Sequence, residues 1–186
     1  MDEPPFATQR PEDPEVSFRS EKPGDIEQIH DLHISAFETG GEARLVRDLR
    51  HEKAFLPGMS LVAVADKNII GHVLFSPLRI ITKDLEIKAA ALAPVAVLPA
   101  FQGRGIGTSL ILYGLKTLGS LGVPCVLVLG SPAYYQRFGF DHSLVKHIDS
   151  PYQSEAFMGL ELQNDVLKTL RGAKAVYARA FEALND

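Results

Sequence analysis

The stretch AALAPVAVLPAFQGRGIGTSLILYGL, residues 90–115, constrains the fold more than any other part of the chain. Its first half is a near-continuous run of small and branched apolar residues, the pattern of a strand buried on both faces and therefore central in a sheet. Pro94 cannot donate to a ladder, so a bulge or local splay is expected there. Glycines at 103, 105 and 107 follow, and then a long apolar helix. A helix start leaves backbone N–H groups free and carries partial positive charge, and glycines let an anion approach without Cβ obstruction. Arg104 adds a fork of donors. Gly103 to Thr108 therefore read as a pyrophosphate cradle at the end of a central strand.

The flanking pattern is equally legible. VSFRSE, Val16 to Glu21, predicts the first strand. In PGDIEQIHDLHISAF, Ile26, Ile29, Leu32 (or His33) and Phe37 recur at helical spacing, with Asp25 as a cap or early acid. EARLVRDLRHE gives a second helix with Leu45, Val46 and Leu49 on one face. SLVAVADKNIIGHVLFSPLRIIT predicts a hairpin about the DKN turn. Gly114 within the long helix costs about 1 kcal/mol relative to Ala unless close packing needs it, and Gly122 is the expected stop. VPCVLVLG reads as a buried strand, and SPAYYQRF as a short helix with Ser131 as N-cap and Pro132 at its first position. AFMGLELQ and AKAVYARAF predict further strands, with a small helix near NDVLKTL. The order β-α-α-β-β-β-α-β-α-β is that of a mixed α/β domain. Residues 1–15 read as a flexible lead-in, and 16–186 as one domain.

Composition closes several function classes. A net charge of −4 over 186 residues argues against nucleic acid or an anionic membrane as a partner. Cys125 is the single cysteine, and the histidines show no ligand spacing, so neither a disulfide nor a metal site is expected. The acidic, Pro-rich start lacks an apolar centre, and no run is long enough for a membrane helix, which makes a cytoplasmic protein the expectation. The glycines do not form a dinucleotide fingerprint, because Thr108 and Leu110 stand where a further Gly is required, and no GK[ST] follows for a Walker loop.

VAVLPAFQGRGIG resembles the central motif of the GNAT superfamily of acyl-CoA-dependent N-acetyltransferases, in which a strand runs through a Pro into Q/R-x-x-G-x-G/A, here Gln102, Gly105 and Gly107. SPAYYQRFGF resembles that family's second signature, a helix carrying Tyr four residues before GF, here Tyr135 before Gly139 and Phe140. With GEARLVRDLR and HVLFSPL, the resemblance extends to a bacterial subgroup of N-acetyltransferases and spans about residues 16–182. It implies a central mixed twisted sheet flanked by helices.

The resemblance also implies a reaction: direct attack of a primary amine on acetyl-CoA through a tetrahedral intermediate, without metal. CoA contacts fall on Val95, Ala96, Val97, Gln102, Gly103, Arg104, Gly105, Ile106, Gly107, Thr108 and Ser131, where many relatives carry Asn in place of Ser131. Tyr135 is the implied general acid for the leaving thiolate. The residues leave the base open: Glu42, as base or acceptor contact, His72, or a water relay. The partners implied are acetyl-CoA and an amine acceptor, with a homodimer by analogy. A non-catalytic acyl-CoA-binding or regulatory module on the same fold is the competing reading.

Overall fold

The computed structural model describes residues 14–184, leaving out the side chain of Leu184. Of the predicted flexible lead-in, residues 1–13 lie outside the described residues. The elements are β1 (Val16–Ser20), α1 (Ile26–Ala36), α2 (Gly41–His51), β2 (Ser60–Ala65), β3 (Asn68–Ile81), β4 (Glu86–Val97), α3 (Ile106–Ser120), β5 (Cys125–Leu129), α4 (Pro132–Tyr135), β6 (Phe157–Glu161) and β7 (Lys174–Val176). They form a seven-stranded sheet in the order β1-β2-β3-β4-β5-β6, with β7 added to the far end of β3. Among the described residues, β4–β5 is the one parallel pairing between named strands. The expected mixed α/β architecture, a mixed sheet flanked by helices, is present.

Strand alternation distributes the core into two layers. Leu74, Leu78 and Ile80 of β3 face one side, packing with Ile29, Leu32, Leu45, Val46 and Leu49 of α1 and α2. Val73 and Phe75 face the other, packing with Leu110, Ile111, Leu115 and Leu118 of α3. This is the period of two along a strand meeting the period of 3.6 along a helix. Gly114 is the close-packing exception foreseen in α3: a Cβ there would lie 2.6 Å from Phe75 Cζ.

Within β4 the expected irregularity falls at Pro94. Val73 opposes Val95 and Phe75 opposes Leu92, so three steps of β4 match two of β3. That one-residue bulge exchanges the faces of the strand. Ala89 and Ala91 before it and Ala96 after it all join the α1/α2 layer, despite the odd-to-even change in number. The Ala93–Pro94 peptide is cis.

Several expectations need correcting. NDVLKTL is a series of turns. Asp165 takes a positive φ of 61°, and the Glu161 carboxylate accepts the Leu167 N–H at 2.8 Å, satisfying the backbone without a helix. The strand in AKAVYARAF is confined to Lys174–Val176 and is followed by a 3₁₀ turn at Arg179–Leu184. Ile26 is 46% exposed; the chain there is only entering α1, and the buried stripe begins at Ile29. The α3 helix begins at Ile106, and Leu112 and Tyr113 reach solvent on its outer face. Among the described residues, no helix is long and apolar enough to cross a membrane.

Candidate active site

The glycine turn is assembled by the end of β4. A 3₁₀ turn at Pro99–Phe101 leads to Gly103 (φ +73°) and Gly105 (φ +79°), both left-handed, a region that favours glycine because it carries no Cβ. The Ser109 N–H reaches Gly105 O at 2.9 Å and opens the helical ladder. The amides of Ile106, Gly107 and Thr108 precede it and have no acceptor inside the helix. A Cβ on Gly107 would sit 3.0 Å from Tyr134 Oη and 3.5 Å from Val97 Cγ2, filling the mouth of the turn. These residues border a cavity of about 390 Å³.

Beside the turn, the sheet splays. β4 and β5 pair only at Ala90–Leu92 with Val126–Val128, and β5 ends at Leu129 while β4 continues to Val97. Leu98 N–H donates to Ile70 O on β3. By strand alternation, Val97 and Val95 turn their amides and carbonyls to the opposite edge, into the gap. Gln102 Nε2 donates to Val97 O at 3.0 Å from within that gap. Two successive outward amides on an unpaired strand edge can hydrogen-bond an extended ligand as a neighbouring strand would.

Across the gap stands α4. The Ser131 carbonyl accepts the Tyr134 and Tyr135 N–H groups, each at 3.0 Å; Ser131 is the N-cap, as expected, although its side chain makes no cap bond. The Tyr135 ring packs edge-on against Phe140 and Tyr134. Among the described residues its hydroxyl has no hydrogen-bond partner, and burial, with a smaller contribution from Tyr134, pushes its pKa up to about 12. Tyr135 and Val95 line both the glycine-turn cavity and a second cavity of about 290 Å³. The two spaces meet at these residues.

The second cavity is bordered by α2, by the bulged part of β4 and by the C-terminal segment. Glu42, in the first turn of α2, is its one charged residue among the described residues. Its Oε2 is buried without a hydrogen-bond donor. His72 is elsewhere: it is fully buried, with Nδ1 2.8 Å from His33 Nε2 and Nε2 2.8 Å from Ser60 Oγ. Both its ring nitrogens are partnered, and His72 does not border the cavity. Cys125 is also buried, its thiol pushed up to about 12 by desolvation.

The structure thus brings Val95, Val97, Gln102, Gly103, Gly105, Ile106, Gly107, Thr108 and Tyr135 to one cavity. Three expected contacts lie off it. The Arg104 guanidinium turns back to donate to Ala100 O at 3.1 Å and lies over the Phe101 ring. Ala96 is buried against α1 and α2 on the opposite face, as the bulge dictates. Ser131 is exposed at the start of α4. Arg137 lies at the cavity wall, its guanidinium 4.6 Å from the Tyr134 ring centroid. Their i,i+3 spacing is the one sequence signal that could have identified the pair. Tyr152, Tyr177 and Phe181, which wall the second cavity, carry no motif.

Residues 17–143 match the family model described as an acetyltransferase (GNAT) domain. The chain is 38% identical over 160 residues to an uncharacterized N-acetyltransferase, YhbS, of Escherichia coli K12, covering 83% of this chain and 92% of that protein. The crystal structure of E. coli YhbS in complex with CoA superposes with a TM-score of 0.82 at 31% identity, over 94% and 96% of the two chains. A GNAT acetyltransferase from Brucella melitensis, solved with acetyl-CoA, gives 0.73 at 32% identity, over 90% and 98%. With the family model matched over most of the chain and a relative 38% identical along nearly its whole length, the chain belongs to the GNAT family of N-acetyltransferases.

Proposed function

We propose that the protein transfers the acetyl group of acetyl-CoA to a primary amine, with the acetyl thioester lying where the two cavities meet. The observation that carries this is the pair of outward amides, at Val95 and Val97, beside a glycine turn whose mouth a single added Cβ would fill. The donor set fits the ligand. The amides of Ile106 to Thr108 and the Arg137 guanidinium suit a pyrophosphate, and the β4 edge suits the amide-bearing pantetheine arm. The complexes of E. coli YhbS with CoA and of the Brucella protein with acetyl-CoA support the same assignment.

Bound acetyl-CoA supplies an activated acyl carbon. The chain's own residues do the rest. The Val95 amide is oriented to donate to the carbonyl oxygen as negative charge develops on it. Tyr135 keeps its proton at neutral pH, since its pKa is pushed up to about 12, and can pass that proton to the departing sulfur. Glu42 is the group available to receive the ammonium proton of the acceptor, directly or through water.

Thermal unfolding with acetyl-CoA, CoA and NAD tests the ligand assignment. A ligand at about a hundred times its Kd adds about 2.7 kcal/mol, a shift of several degrees for a domain of this size. Stabilisation by both CoA species and none by NAD is expected. No shift with millimolar acetyl-CoA would sink the proposal. Tyr135→Phe should then keep the shift while losing thiol release; retained turnover in that variant would remove Tyr135 from the reaction.

A further inference from the structure

The second cavity has a chemical character that restricts the acceptor. Five aromatic rings border it: Phe37, Tyr135, Tyr152, Tyr177 and Phe181. The Tyr152 hydroxyl is engaged elsewhere, donating to Phe181 O at 3.0 Å, and the Tyr177 hydroxyl lies beside the Ser150 side chain. Tyr152 meets Tyr177 edge-on at 5.1 Å, and Tyr177 tilts against Phe181 at 5.4 Å. Together the three rings make an aromatic part of the lining. On β4, the small side chains of Ala91 and Ala93, with Pro94, complete it.

Into this apolar space comes one formal charge. The buried Oε2 of Glu42 lacks a donor, and a carboxylate oxygen in that condition costs free energy that a ligand N–H would recover. Aromatic faces attract a cation as well. No Lys, Arg or His borders the cavity among the described residues, so nothing there would pair with a substrate carboxylate. No second acid borders it either, so a second substrate ammonium would be buried without a counter-charge. A cavity of about 290 Å³ is at the small end for a ligand site.

Resting on the acetyl-transfer reading above, we infer that the acceptor is a small primary amine bearing one positive charge on an apolar or aromatic body, with no carboxylate and no second ammonium. The ammonium is held by Glu42, and the body lies against the Tyr152–Tyr177–Phe181 wall. This excludes polyamines, aminoglycosides, free amino acids and protein N-termini as preferred acceptors. The first three bring uncompensated charge, and a protein N-terminus brings a polar backbone for which the wall has no partners.

The test is thiol release from acetyl-CoA by the wild-type chain with matched pairs of amines. Phenethylamine is compared with phenylalanine, hexylamine with cadaverine, and both monoamines with spermidine, kanamycin and a tripeptide beginning with Phe. The monoamines are expected to exceed their charged counterparts by about tenfold or more in kcat/KM, because site groups discriminate by what they leave unpaired. Glu42→Gln should raise KM for phenethylamine while leaving the acetyl-CoA thermal shift in place, which also reports that the variant is folded. Equal or better turnover of a diamine, the amino acid or the peptide overturns the inference and leaves acetyl transfer standing. So does an absence of turnover with every amine when acetyl-CoA still stabilises the protein. Loss of the acetyl-CoA shift itself in the wild type would overturn the transfer reading and this inference with it.

Discussion

The Tyr135 ring occupies the space that a side chain on Gly130 would need: a Cβ at 130 would lie 2.9 Å from Tyr135 Cδ2 and nearer still to Cε2. The glycine after β5 therefore sets where the phenol stands. Gly130→Ala should displace the ring, and thiol release should fall by about tenfold or more, while the acetyl-CoA thermal shift persists. Unchanged kinetics in a folded variant would show that the ring can relocate without consequence.

The proton on Tyr135 should be available over the whole working range. With its pKa pushed up to about 12, the phenol stays protonated far above neutrality. The rate with a given amine should therefore show no alkaline decline up to about pH 10, whereas a tyrosine at its ordinary value of about 10 would begin to ionise there. Tyr135→Phe should lower kcat by about 10²–10⁴-fold, the range of a positioned acid. A pH profile falling between 8 and 10 would contradict the buried, protonated phenol.

At the glycine turn, Gly107→Ala introduces a methyl into the mouth between Tyr134 and Val97. Gly107 does not need a positive φ, and Ala is the better helix former. The unliganded protein should therefore unfold within a few degrees of wild type, while the acetyl-CoA shift shrinks or disappears. An undiminished shift would mean that the ligand does not approach this amide.

Gly114→Ala separates propensity from packing. Helix propensity favours Ala by about 1 kcal/mol, but the added methyl collides with the Phe75 ring, and overpacking costs about 1–3 kcal/mol. Denaturant unfolding should give a net loss of stability. A gain would show that Phe75 moves aside at no cost.

The buried pair His33–His72, joined at 2.8 Å, makes stability depend on pH in one direction. Desolvation, reinforced by Arg50 and His30, lowers the His33 pKa from 6.5 to about 4; desolvation, with His33 and Arg50, lowers His72 well below its ordinary value. Both are neutral in the fold, and the unfolded chain binds more protons between these values. Stability is therefore complete above about pH 6.5 and is lost as pH falls toward 4, by about 3 kcal/mol for His33. The Arg19 hydrogen bond holds Asp25 below the usual carboxylate range, so its contribution is lost only at still lower pH. Unfolding free energies at pH 7 and pH 4.5 should differ accordingly, and less so in His33→Gln. Equal stability at the two pH values would mean that the pair is protonated without penalty.

The strand-and-glycine segment was readable because its chemistry is local. A run such as AAALAPVAV has few alternatives to a central strand, Pro94 cannot join a ladder wherever it is, and left-handed turns at 103 and 105 call for glycine. Tyr135 was legible through the resemblance of SPAYYQRFGF to the family's second signature. Arg104 shows the limit. As an Arg within a glycine turn it reads as a phosphate ligand; in the fold its guanidinium lies against the Ala100 carbonyl and the Phe101 ring. Arg137, 33 residues later in the chain, borders the cavity.

What the sequence by itself determined is the order of elements from β1 to β6 and the left-handed glycine turn, because periodicity and backbone permission are properties of neighbouring residues. The tertiary structure alone decided the rest. A one-residue bulge moved Ala96 to the opposite face and opened the Val95 and Val97 amides. The packing of α2 against the C-terminal segment brought Glu42 into the same cavity as Tyr152, Tyr177 and Phe181. Those residues are more than a hundred positions from Glu42, and contacts over such separations are set by how layers pack rather than by any local pattern.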